Sequence, residues 1–162
     1  GACDRDLQRF AGYLVLDAVI GNTDRHHQNW AFLRHDQPSG PIHELAPSFD
    51  HASSLGREML DERRRMILKE NRMEQYIRKG PGAIFLTAYG EKPVSPLQLI
   101  FELKAAPLRQ YLQSWLERAS RLTETELMSI LDQMPDGWMS EVSRQFALHF
   151  MLESLRLLRQ AS

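Results

Sequence analysis

Asp24, Asn29 and Asp50 are the residues of this chain whose types and spacing could do chemistry. The first two lie in the polar run Gly21-Asn22-Thr23-Asp24-Arg25-His26-His27-Gln28-Asn29-Trp30. The third sits within Leu45-Ala46-Pro47-Ser48-Phe49-Asp50-His51-Ala52. Phosphoryl transfer uses such a set. One aspartate accepts or orients the proton of the attacking hydroxyl, and an asparagine five residues later offers a metal-binding oxygen. A second aspartate, beside phenylalanine and after a short hairpin, holds the cation that bridges the phosphates. Mg2+ takes hard oxygen ligands and keeps several waters, so one carboxylate and one amide can suffice from the protein. The plain alternative is that Asp and Asn stand here as turn residues, whose side chains bond nearby backbone. Against it stands the order of the parts, which run helix, loop, hairpin, Phe-Asp.

Other groups carry less. His26 and His27 could join Asp24 and Asp50 around a metal, but no His-x-x-x-His pair on a helix supports zinc. His35, His43, His51 and His149 read as surface or packing residues, and Trp30 reads as core. Glu62-Arg63-Arg64-Arg65 is most simply a solvated helix face, with attraction for a phosphorylated or acidic partner as the other reading. Cys3 has no base near it in sequence.

The elements that must position the three residues follow from periodicity. Leu7, Phe10, Ala11, Leu14 and Ala18 recur at helical spacing, which predicts a helix over 6–19. Gly21-Asn22 ends it, because these residues tolerate left-handed backbone. Trp30 to Leu33 is an apolar run of strand type. Pro38-Ser39-Gly40 is turn chemistry, and Ile42 to Leu45 is the partner strand. A hairpin returns the chain to its start, so Asp24, Asn29 and Asp50 are expected to converge on one open face. Beyond Gly56 the pattern is helical. Leu60, Met66, Ile67, Met73 and Ile77 fit one amphipathic face, which Gly80-Pro81-Gly82 breaks. Helices are expected over 97–104 and 108–122, the second with a stripe of Leu108, Tyr111, Leu112, Trp115, Leu116 and Ala119. Thr123 with Glu126 forms a capping box for the next helix. Pro135-Asp136-Gly137 turns the chain into a last helix over 140–158. The fold class is therefore mainly α with a small β-hairpin.

Composition sets the bounds. The chain has 162 residues, 43% hydrophobic and 25% charged, with a formal charge of -1. That length suits one domain with a real core. Near-neutral charge argues against direct nucleic-acid binding, which needs a basic excess. Apolar runs of a few residues fall far short of the roughly 20 that a membrane span needs. A single cysteine excludes an internal disulfide and suits a reducing cytoplasm.

The Gly21-Asn22-Thr23-Asp24-Arg25-His26 run, Asn29 and the Leu-Ala-Pro…Phe-Asp stretch ending at Asp50 resemble the HipA-like serine/threonine kinases, the toxins of bacterial toxin–antitoxin systems. The likeness covers about residues 14–55. The Asp-Arg-His-x-x-Asn arrangement is also similar to that of the phosphatidylinositol 3- and 4-kinases. The resemblance implies a kinase-like C-terminal lobe over 1–162, with a catalytic loop at 21–30 and a metal-binding loop at 45–55. It implies Asp24 as catalytic aspartate, Asn29 and Asp50 as Mg2+ ligands, His26 beside the nucleotide ATP, and Arg25 as a brace for the loop. The expected partners are a protein substrate, an antitoxin protein and an N-terminal lobe. No Gly-rich phosphate loop precedes Asp24 and no lysine stands before Lys69. The expectation is thus a lobe that binds ATP weakly and transfers phosphate poorly by itself, since an adenine pocket lies between lobes. The alternatives are a phosphotransfer-inactive binding module and a lipid-kinase fragment. The second would need a basic membrane-facing loop, for which Arg63 to Arg65 is the candidate.

Overall fold

The computed structural model describes residues 2–87, 92–105 and 108–161. In chain order the elements are α1 (Ala2–Ile20), β1 (Phe32–His35), β2 (Ile42–Leu45), α2 (Asp61–Lys69), α3 (Met73–Arg78), α4 (Pro96–Lys104), α5 (Arg109–Ser120), α6 (Glu124–Leu131) and α7 (Glu141–Ala161). The architecture is mainly α, with one antiparallel hairpin that pairs Phe32 with Leu45 and His35 with Ile42. Among the described residues no helix is long and apolar enough to cross a membrane.

α1 is the central element, packed against α4, α5 and α7, with β2 lying on its flank. Its Ala11, Leu14, Val15, Ala18 and Val19 are buried in the core, and each large apolar side chain so buried contributes roughly 1.5–3 kcal/mol. Gly12 lets α5 approach closely, since a Cβ there would lie 2.6 Å from Trp115 Cε2. The Trp115 indole N–H then donates to the Gln8 carbonyl at 2.6 Å, so its polar end is satisfied. The Thr123–Glu126 capping box opens α6 as the spacing predicts.

Four details depart from the periodicity. α1 begins at Ala2 rather than Asp6, and Leu7 is half-exposed. β1 lies two residues later than expected. Trp30 is half-buried and stacks at 5.3 Å on Phe10, which fixes it to α1 instead of the ladder. The face expected across 60–77 is two helices, because Asn71 takes φ +50° and turns the chain between them. Leu60 is 74% exposed, outside that face, whereas Ile67, Met73 and Ile77 are buried. The Glu62–Arg65 run is not wholly solvated either. Arg64 is buried, donates to the carbonyls of Gly56 and Arg57 at 3.0 and 3.2 Å, and pairs with Asp61.

Candidate functional site

The end of α1 builds the first loop. Gly21 has φ +65°, a conformation open to glycine without Cβ strain. The next N–H, from Asn22, donates back to the Asp17 carbonyl at 2.9 Å. This six-to-one bond closes a Schellman cap and stops the helix. Gly21 also faces the Phe150 ring, and a Cβ there would lie 2.3 Å from Phe150 Cζ. We expect Gly21→Ala to destabilise the fold by about 2–4 kcal/mol, from left-handed strain plus overpacking. Gly137→Ala, also left-handed but in open space, should cost only the strain. Urea denaturation of both variants checks the difference, and equal losses would remove the Phe150 contact from the argument.

Within the loop, the backbone of Asp24 is held and its carboxylate is left free. The Asp24 carbonyl accepts from the His26 N–H at 2.8 Å and from Asn29 Nδ2 at 2.7 Å. Its own N–H donates to Asn22 Oδ1 at 3.3 Å. The Asp24 carboxylate meets only His26 Nε2, at 3.6 Å. The Gln28 N–H donates to His26 Nδ1 at 3.1 Å, so in the neutral ring the proton sits on Nε2, on the side of Asp24. Asn29 is buried. With its amide nitrogen committed to Asp24, its side-chain oxygen is the group left to offer a ligand.

Arg25 joins the two loops. Its side chain and that of Asp17 are each 3% exposed, and the guanidinium grips the carboxylate through Nε at 2.7 Å and Nη2 at 2.8 Å. Nη1 donates to the Asn29 carbonyl at 2.6 Å and, at 3.4 Å, to the carbonyl of Phe49. Nη2 reaches Ser48 Oγ at 3.1 Å and His51 Nδ1 at 3.3 Å. One buried cation thus holds the backbone of Asn29 and that of the residue before Asp50 within a few ångströms of each other. Five donors in a planar fork suit such bridging, as a lysine ammonium would not.

The second loop is fastened along its length. Arg9 donates to the Leu45 carbonyl, Tyr13 Oη to the Ala46 carbonyl, and the Leu45 N–H donates to Asp6. The Thr23 N–H donates to the Ser53 carbonyl, and the Leu55 N–H to the Ile20 carbonyl. Burial pushes the Tyr13 phenol above its ordinary range, keeping it a donor at neutral pH. Asp50 has φ +53°, a left-handed position that Asp tolerates better than most residues. Its exposed carboxylate makes no hydrogen bond or ion pair among the described residues.

The Asp24–Asn29 loop and the backbone next to Asp50 are therefore held together by Arg25. Asp24 and Asn29 share a direct hydrogen bond, and Arg25 ties Asn29 to the Asp50 loop. Six participants carry no motif signal in the sequence: Asp6, Arg9, Tyr13, Asp17, Ser48 and His51, the last expected as a surface or packing residue. Asp6, Arg9, Tyr13 and Asp17 recur at spacings of three and four, so they form a polar stripe on a helix otherwise buried by its apolar face. That stripe was the available signal. Among the described residues no group of three or more His, Cys, Asp and Glu could hold a metal ion. A Mg2+ site does not require one, because substrate phosphates and waters complete the shell.

This fold and this paired-loop arrangement define a class: a helical lobe in which the loop after the first helix is clamped to the loop after a hairpin. The sequence profile of the HipA-like C-terminal domain matches residues 1–137, and the chain belongs to that family. It is 28% identical over 145 residues to serine/threonine-protein kinase CtkA of Helicobacter pylori strain J99, covering 89% of this chain and 42% of that protein. The crystal structure of the proinflammatory kinase CtkA from Helicobacter pylori superposes with a TM-score of 0.73 at 23% identity. That superposition covers 96% of this chain and 53% of the other, and it shows a shared fold. The chain thus spans about half the length of the relatives it matches.

Proposed function

We propose that this domain is the catalytic C-terminal lobe of a serine/threonine protein kinase that uses ATP and Mg2+. The observation that carries the reading is the Arg25 clamp, which holds Asn29 and the Asp50 loop together, while among the described residues the Asp50 carboxylate has no protein partner and that of Asp24 meets only His26. Family membership and the kinase name of the Helicobacter relative support it. Asn29 Oδ1 and the Asp50 carboxylate are the hard oxygen donors that would hold Mg2+, which when bound neutralises charge on the phosphates.

Asp24 is the group placed to accept the proton of a substrate serine or threonine. Its backbone is fixed by three hydrogen bonds, so its carboxylate moves only by side-chain rotation, and it is 45% exposed to an incoming hydroxyl. His26 flanks it, where it can orient the carboxylate and border the nucleotide. On family membership alone, the reading extends to a cytoplasmic toxin that phosphorylates its protein substrate when its antitoxin is absent.

The test is transfer of labelled γ-phosphate to a generic protein substrate by the natural full-length protein, with Mg2+ and with a chelator. We expect label on serine or threonine and its loss on chelation. A folded protein that neither binds ATP nor transfers label would remove the kinase reading.

A further inference from the structure

A groove of about 770 Å³ begins at Thr23, the residue before Asp24, and runs between α2 and α3. It continues into a second depression of about 380 Å³, with which it shares Gly56, Arg63 and Tyr76. The two depressions share a wall, so together they offer open space for a segment of chain. Its floor is apolar, with Met66 and the ring of Tyr76, which rests edge-on against Phe146 and Phe150. Its rim is basic. Arg63 and Lys79 both line it, both are exposed, and neither side chain makes a hydrogen bond or ion pair among the described residues. The carboxylates on its walls are paired: Glu62 lies 3.9 Å from Arg65, and Glu58, in the smaller part, 3.5 Å from Arg57.

Two cations without a carboxylate partner thus stand over an apolar floor. Charge left uncompensated beside a cleft is the mark of a partner that brings the opposite sign.

We propose that this groove binds an extended, acidic segment of the protein substrate, with Arg63 and Lys79 pairing with its carboxylates and Met66 and Tyr76 receiving an apolar side chain, so that the acceptor hydroxyl is delivered to Asp24. This specificity rests on the kinase reading above. It does not extend to the nucleotide, which belongs at Asn29 and Asp50.

The test uses the natural full-length protein and two fluorescein-labelled serine peptides, one flanked by glutamates and one by lysines. Fluorescence anisotropy should show the acidic peptide binding about tenfold tighter, weakening with salt, since two exposed ion pairs contribute about that factor together. The charge-reversed variant R63E/K79E should invert the preference, an outcome that simple loss of folding cannot produce. Equal binding of both peptides, or an unchanged preference in the variant, overturns the proposal. So does displacement of the acidic peptide by Mg-ATP, which would make the groove a nucleotide site. Anisotropy reads the groove without chemistry. Acidic peptide bound but never phosphorylated would overturn the kinase reading and leave the groove standing. Phosphate transfer with no peptide discrimination would overturn the groove alone.

Discussion

Asp24→Asn and Asp50→Asn should each lower phosphate transfer by about 10²-fold or more while leaving the fold intact. Loss of a positioned proton acceptor or of a charge-stabilising group costs this much in comparable sites. Stability should hardly change, because the free carboxylates described above contribute little to the native state, and surface changes of this kind stay within about 0.5 kcal/mol. Asparagine is the informative replacement. It preserves shape, and at position 50 it accepts the left-handed backbone, with φ +53°, that alanine would strain. The two variants should also differ in kind. Asp50→Asn removes a metal ligand, so excess Mg2+ should restore part of its activity; Asp24→Asn should gain nothing from Mg2+. Labelled-phosphate transfer across a Mg2+ series, with thermal melts as folding control, measures both. Near-normal transfer by both folded variants would take the chemistry away from these residues.

Much of this site could be read from the chain because its parts are local. The Gly21-Asn22 stop works through backbone that only a few residue types tolerate, so it announces itself. The Pro38 to Gly40 turn sets the hairpin, and Ile42 to Leu45 formed the strand expected of it. What escaped depends on long-range partners. Trp30 has strand character, yet its ring docks on Phe10 twenty residues earlier and shifts the start of β1. Arg64 sits in a charged run that looks solvated, yet the carbonyls of Gly56 and Arg57 draw it inward. Asn71 is the local exception: it ends a helix by taking φ +50°, which asparagine tolerates, without a glycine or proline beside it. Asp17 looked like one polar residue on an amphipathic helix. Only with the second loop packed over α1 does it become a buried acid with a buried arginine on it. The reading of Arg25 as a brace needed that partner to acquire a mechanism.

That pair underlies the second large effect. Arg25→Ala should destabilise the domain by about 3–5 kcal/mol, since it leaves the Asp17 carboxylate buried without its counter-charge. It would also orphan the Asn29 carbonyl and loosen that of Phe49. Asp17→Ala should cost a similar amount by stranding the guanidinium. Such losses are a large part of the roughly 5–15 kcal/mol that holds a domain folded. The double variant Asp17→Leu/Arg25→Met should lose much less than the two single changes summed, because it removes both charges together and leaves apolar volume. An exposed pair provides the contrast: Arg34 and Asp36 are 62% and 77% exposed, and breaking them should change stability by less than about 1 kcal/mol. Arg25→Lys separates architecture from chemistry. It keeps a positive charge beside Asp17 but lacks the fork that reaches Asn29 and Phe49. Transfer by this variant should therefore fall further than its stability does, with the Mg2+ requirement rising because Asn29 and the Asp50 loop are no longer held together. Urea denaturation across the double-mutant cycle, read beside Mg2+ titrations of activity, decides the matter. Single-variant losses as small as those of the Arg34–Asp36 pair would mean that the Arg25 clamp does not hold the two loops in place.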